Sequence, residues 1–168
     1  INGFPGTDSL PYLAELAHFE WQFAVVARTR AAPEAGPVLQ LDDGVRLRFA
    51  SPLWLHGAHY PVDRLRDAIL AEDTAMLAAI AGSKPEVSGS PAPGSPDSGG
   101  FHYALWRTSA GVNVRSLSAG SARFLAAVYA GANAVEALAA SGHADSAEVL
   151  GREILPAGFV RIEAPPGA

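Results

Sequence analysis

The chain predicts an α+β fold with a helical N-terminal half that carries a short β-hairpin and a winged-helix-like C-terminal half. Three stretches carry that expectation. Leu10 to Arg30, LPYLAELAHFEWQFAVVARTR, is the longest helical pattern and the densest run of bulky apolar residues. Phe101 to Arg107 (FHYALWR) and Val112 to Leu117 (VNVRSL) are β-rich runs around a short Gly-containing turn, the mark of a hairpin. Between them, residues 84–100 read KPEVSGSPAPGSPDSGG, with too few apolar side chains to order themselves. The expected division is an N-terminal lobe at 1–83, a Ser/Pro/Gly loop at 84–100 and a C-terminal lobe at 101–168.

Taken in order, Asn2 to Asp8 is punctuated by Gly and Pro and reads as an extended lead-in. Ser9 offers an N-cap oxygen, and Pro11 occupies a first-turn position where a missing N–H costs nothing. Leu13, Leu16, Ala17, Ala24 and Ala27, flanked by Trp21 and Phe23, recur at three- and four-residue spacing and predict one buried face. Pro33, Gly36 and Pro37 end this helix and open an irregular connection. Val45 to Phe49 alternates apolar and charged residues and predicts a strand, and Leu53 to Leu55 a second one. A single helix is expected from Pro61 to about Ala81. After the hairpin come helices at Ala119–Ala130, Asn133–Ala140 and Ser146–Leu155, stopped by Gly131 and Gly142, then a strand at Gly158–Glu163 and a tail. Helix, tight turn, helix and strand is the order of a winged helix-turn-helix.

Composition narrows the function classes. A formal net charge of −5 and a pI near 5.4 leave no global basic footprint, which argues against nucleic acid as the main partner. There are no cysteines, so thiolate catalysis, disulfides and Cys-rich zinc sites lie outside this chain's chemistry. No apolar run approaches the roughly 20 residues that span a bilayer, and nothing at the start resembles a signal peptide. The expected location is cytoplasmic, with no membrane partner.

Few residues suggest chemistry. Glu20 falls beside the buried stripe of the first helix, where a carboxylate needs a partner, and either a salt bridge to an Arg or a cap on a neighbouring backbone is expected. His56 and His59 form an H-x-x-H spacing in a Gly-containing stretch without the carboxylate pattern of a known metal motif, so surface or core histidines are expected. Asp97-Ser98-Gly99-Gly100 reads as flexible loop and not as a nucleophile. No P-loop, G-x-G-x-x-G or H-E-x-x-H occurs. No catalytic, cofactor or metal residue is therefore assigned.

A winged helix can bind DNA, but its expected recognition helix sets Arg152 against Glu148 and Glu153, poor chemistry for phosphate contact. The winged-helix regulator stays as the alternative reading. Such a fold can also pair an extended peptide against an exposed strand edge. The strand with Trp106 and Arg107, or its neighbour with Asn113 and Arg115, is the candidate edge, and these four are the expected peptide or partner contacts.

The motif L-P-Y-L-A-E-L-A-H-F-E-W, preceded by Phe4-Pro5, resembles the signature that opens the second domain of the HvfC/BufC family. Later pieces follow in order: P-V-D-R-L from Pro61 to Leu65, A-L-W-R from Ala104 to Arg107, a small-residue helix pair and a G-F-V strand. The likeness runs from about Phe4 to Val160 and extends to the similar MbnC proteins of methanobactin biosynthesis. A full HvfC-type chain would carry a helical domain ahead of Phe4, so the shorter, MbnC-like arrangement is expected. The resemblance implies a non-catalytic companion of a TIM-barrel iron oxidase, forming a heterodimer and holding the leader of a cysteine-containing ribosomal precursor peptide. It also implies that the iron belongs to the partner, and that cysteines become oxazolone and thioamide groups as in methanobactin.

Overall fold

The structure is a computed structural model that describes residues 10, 12–29, 38–40, 46–49, 53–82, 100–142, 152, 154 and 160–163. The fold is α+β. Helix α1 (Leu13–Arg28) leads to strands β1 (Val38–Gln40), β2 (Arg46–Phe49) and β3 (Leu53–Ala58), then to helices α2 (Val62–Leu70) and α3 (Thr74–Gly82). Strands β4 (Phe101–Thr108) and β5 (Gly111–Leu117), helices α4 (Ala119–Tyr129) and α5 (Ala134–Ser141), and strand β6 (Val160–Glu163) complete it.

Both sheets are antiparallel with three strands, in the orders β3-β4-β5 and β1-β2-β6. Each joins strands from the two sides of residues 84–100: β3 pairs with β4 from Leu53↔Trp106 to Ala58↔Phe101, and β2 pairs with β6 from Arg46↔Glu163 to Phe49↔Val160. The lobes expected at 1–83 and 101–168 therefore share their sheets. The two N-terminal strands expected around Val45–Phe49 and Leu53–Leu55 form, but they pair elsewhere, β2 with β1 and β3 with β4. The reason is burial: His102 to Trp106 of β4 are all buried, so this strand needs neighbours on both edges and cover on both faces.

That cover comes from two helical layers. Trp54, His56, Ala58, Tyr103, Leu105, Val112 and Val114 share one face of the β3-β4-β5 sheet by register, and there they meet Tyr12, Leu16 and Phe19 from α1 and its lead-in, Val62 and Leu65 from α2, and Ile80 from α3. Leu53, Ala104, Trp106 and Leu117 share the other face and pack on Ala122, Phe124, Leu125 and Val128 of α4, Ala137 of α5 and Ile154. We call these the α1 face and the α4 face.

Helix α1 begins one turn later than its sequence start signal, with Tyr12 at the N-cap and no side-chain cap. Ser9 and Pro11 lie outside the described residues. Its buried stripe is Leu16, Phe19 and Val26, while Ala17 and Ala24 are exposed and Trp21 is 62% exposed. The stripe keeps Leu16 of the expected face, with Leu13 and Phe23 packed beside it, and takes in Phe19 and Val26 in place of Ala17 and Ala24, because these larger side chains remove more apolar area from water. The helix expected from Pro61 to Ala81 breaks at Ala71–Asp73: Glu72 takes φ 55°, and the Asp73 carboxylate accepts the Met76 N–H at 2.9 Å, starting α3 afresh. The turn lets Ile80 enter the α1-face core.

The other helix ends behave as their residues predict. Ser118 accepts the Ser121 N–H at the start of α4, and Asn133 with Glu136 forms a capping box on α5. Gly142 closes α5 in the left-handed region, φ 72°. Arg123 of α4 donates to the Ala140 and Ser141 carbonyls at 3.2 and 2.9 Å, placing a cation at the negative end of α5. Of the expected third helix at Ser146–Leu155, only Arg152 and Ile154 are among the described residues.

Candidate functional site

The strand β5 is the candidate. It pairs with β4 in unbroken register from His102↔Leu117 to Thr108↔Gly111, and among the described residues nothing pairs with its outer edge. Gly111 to Arg115 are half-exposed and Ser116 is exposed. The turn is short, with Ser109 and Ala110 between the last paired residues, and Gly111 leaves it at φ 140°. Asn113 donates to the Thr108 hydroxyl at 3.0 Å, and that hydroxyl donates to the Gly111 carbonyl at 3.3 Å, so the turn end of the hairpin is braced on the α4 face.

The four residues singled out from the sequence separate on this framework. Trp106 is 6% exposed and lies in the α4-face core opposite Leu53 on one side and Asn113 on the other. It is a core residue of the central strand, and a strand with two paired neighbours has no edge to offer. Arg107 is half-exposed on the α1 face across from Val112. Asn113 serves the turn through its side chain. Arg115, half-exposed on the α4 face across from Ala104, is the one of the four that is both on the open strand and charged. The α1-face residues Val112 and Val114 are half-exposed as well, and they extend the core beneath α1 out to the edge. Their alternation with Asn113 and Arg115 was visible in the sequence as a strand pattern, but not which edge it occupied.

A second polar cluster joins α1 to β3 and its exit. Glu15 accepts the His59 and Tyr60 backbone N–H groups at 2.8 and 3.0 Å through one oxygen and contacts His59 Nδ1 at 2.5 Å through the other. Two turns along α1, the Gln22 amide oxygen lies 2.9 Å from His56 Nδ1. His56 is 4% exposed, packed by ring contacts with His18, Phe19 and Tyr103, and its Nε2 finds no hydrogen-bond partner. Burial, reinforced by the nearby His18 and opposed by Glu15, pulls its pKa down to about 4. Tyr103 donates to the Asp63 carboxylate at 2.8 Å, and burial with that bond pushes its hydroxyl far above the ordinary tyrosine range.

His56 and His59 are thus engaged by two different α1 side chains. Among the described residues, no three His, Cys, Asp or Glu side chains are grouped as an ion would need. Of the two partners expected for Glu20 the structure shows the arginine: a salt bridge to Arg66 Nε at 2.8 Å, with the same guanidinium over the Phe23 ring. A cavity of about 20 Å³ near Gly57, His102 and Ala122 is the size of one water molecule, too small for a substrate. Asp97 to Gly99 lie outside the described residues. Among the described residues, no helix is long and apolar enough to cross a membrane.

Compared with protein-family models, curated proteins and solved structures, the chain matches none of them.

Proposed function

We propose that this chain is a non-catalytic accessory subunit that holds the leader of a ribosomal precursor peptide by adding it as a strand to β5. Its partner, in a heterodimer, is a TIM-barrel multinuclear non-haem iron oxidase that acts on the cysteines of the same peptide. The partner carries the iron; this chain supplies the grip and the orientation. The class of product is the methanobactin type, oxazolone and thioamide.

The observation that carries the reading is strand β5, half-exposed and with nothing among the described residues paired to its outer edge, beside β4, which is buried on both faces. An edge strand presents unpaired N–H and C=O groups, and a disordered peptide can satisfy them by pairing. The edge is already held in register by the hairpin and both helical layers, so the ordering cost falls on the peptide alone. The motif resemblance supports the identity of the partner. Helix layers on both sides of the sheet leave strand addition as the mode of binding that disturbs the core least.

Co-expression tests this. The chain is produced alone and together with a TIM-barrel iron enzyme of this type, and complex formation, iron content and affinity for a cysteine-containing precursor peptide are measured. A stable complex in which iron follows the partner is the expected result. Stoichiometric iron on this chain alone, or precursor affinity unchanged by blocking β5, would contradict the proposal.

A further inference from the structure

The β5 edge carries a chemical asymmetry that an added strand would have to match. Register places Val112 and Val114 on the α1 face and Asn113 and Arg115 on the α4 face. The ladder alternates from the Thr108↔Gly111 pair beside the turn, so the backbone groups of Val112, Val114 and Ser116 point away from β4, toward an incoming strand. Residues of that strand then alternate between the two faces in step with β5.

Charge is unevenly distributed along the chain. Although the chain as a whole has a net charge of −5, residues 101–135 contain Arg107, Arg115 and Arg123 and no Asp or Glu. Arg123 is committed to the end of α5. Among the described residues, the Glu15–His59 contact and the Glu20–Arg66 ion pair lie on the α1 side, and no carboxylate is paired with Arg115. A guanidinium that no carboxylate among the described residues pairs with, on a strand whose outer edge none of them pairs with either, favours a carboxylate directly across from it.

We propose that the β5 edge selects an extended peptide in which apolar residues alternate with acidic ones. The acidic residues lie beside Arg115 on the α4 face, and the apolar ones continue the Val112 and Val114 row under α1. This inference rests on β5 being the docking edge and adds the class of peptide that fits it.

The test uses the full chain and three fluorescent nine-residue peptides, read by anisotropy. One alternates valine with glutamate, the second alternates valine with lysine, and the third is the glutamate peptide N-methylated at every second residue. The glutamate peptide is expected to bind about fivefold more tightly than the lysine peptide at low salt, a difference that shrinks at 1 M salt. Arg115→Glu should reverse the order, and Arg115→Gln, which keeps much of the size and removes the charge, should bring the two together. Circular dichroism of both variants checks that a change in binding is not a loss of folding. Ser116→Pro should abolish binding of both peptides without unfolding the chain, because the Ser116 side chain is exposed and its N–H faces outward. N-methylation should abolish binding too. If the lysine peptide binds as well as the glutamate peptide, or Arg115→Glu leaves the preference intact, the charge selection is wrong and strand addition survives. If no peptide binds, or binding ignores both Ser116→Pro and N-methylation, the docking edge itself is wrong.

Discussion

Strands β4 and β5 belong to one hairpin and are built to opposite ends. In β4, five consecutive residues from His102 to Trp106 are buried, with Tyr103, Leu105 and the α1 side on one face and Ala104, Trp106 and the α4 side on the other. In β5, five consecutive residues from Gly111 to Arg115 are half-exposed. One strand of this sheet is thus buried on both faces and its hairpin neighbour half-exposed, with only a two-residue turn between them. Stability should therefore reside in β4 and recognition in β5.

Substitutions in β4 should show the largest effects. Leu105→Ala removes a fully buried side chain from the α1-face core and should destabilise by about 2–5 kcal/mol; Trp106→Ala, from the opposite core, should cost about 3–5 kcal/mol. Urea unfolding followed by fluorescence and circular dichroism measures both. If Trp106→Ala instead left stability intact and removed only peptide affinity, the division of roles between the strands would be wrong.

The pH dependence comes next. His56, paired with Tyr103 across β3 and β4, ionises at about 4 in the folded chain and near 6.5 when unfolded. Between those values the unfolded state binds the extra proton, so stability falls as pH drops from about 6.5 toward 4, by on the order of 3 kcal/mol at most. Above 6.5 this effect is absent. Denaturant midpoints from pH 7.5 to 4.5 should fall less steeply in His56→Gln than in the parent chain; parallel curves would remove His56 from the account.

Tyr103→Phe is a smaller probe of the same strand. It deletes the bond to the Asp63 carboxylate while keeping the ring against Phe19, and should cost about 1–2 kcal/mol in the same unfolding experiment. The smallest change belongs to β5: Arg115→Ala should alter stability by less than about 0.5 kcal/mol, yet weaken binding of an acidic peptide measurably. A large loss of stability there would make β5 another structural strand.

How much of this was legible in the sequence follows from the range of the interactions. The hairpin, both glycine stops and the Asn133 cap depend on neighbours in sequence and read correctly. The pairing of β3 with β4 spans residues 84–100 and left no local trace, which is why the chain read as two lobes. Strand β1, three residues long, is too short for periodicity. The Glu72 turn was hidden inside a pattern that suited one long helix, because the Asp73 cap competes with helix continuation only once Ile80 has a core to enter. For the site, the alternation along Val112 to Arg115 was readable, but Trp106 read as a contact because aromatic residues serve cores and interfaces alike. The Glu15–His59 and Gln22–His56 contacts join residues far apart in sequence, and spacing gave no sign of them.

Docking of a peptide on β5 is read most directly by amide hydrogen exchange on the full chain, with and without the precursor peptide, at the outward-facing amides of Val112, Val114 and Ser116. These amides should exchange readily in the free chain and become protected together on binding, while the β4 amides stay protected throughout. Protection that appears elsewhere with β5 unchanged would contradict that docking.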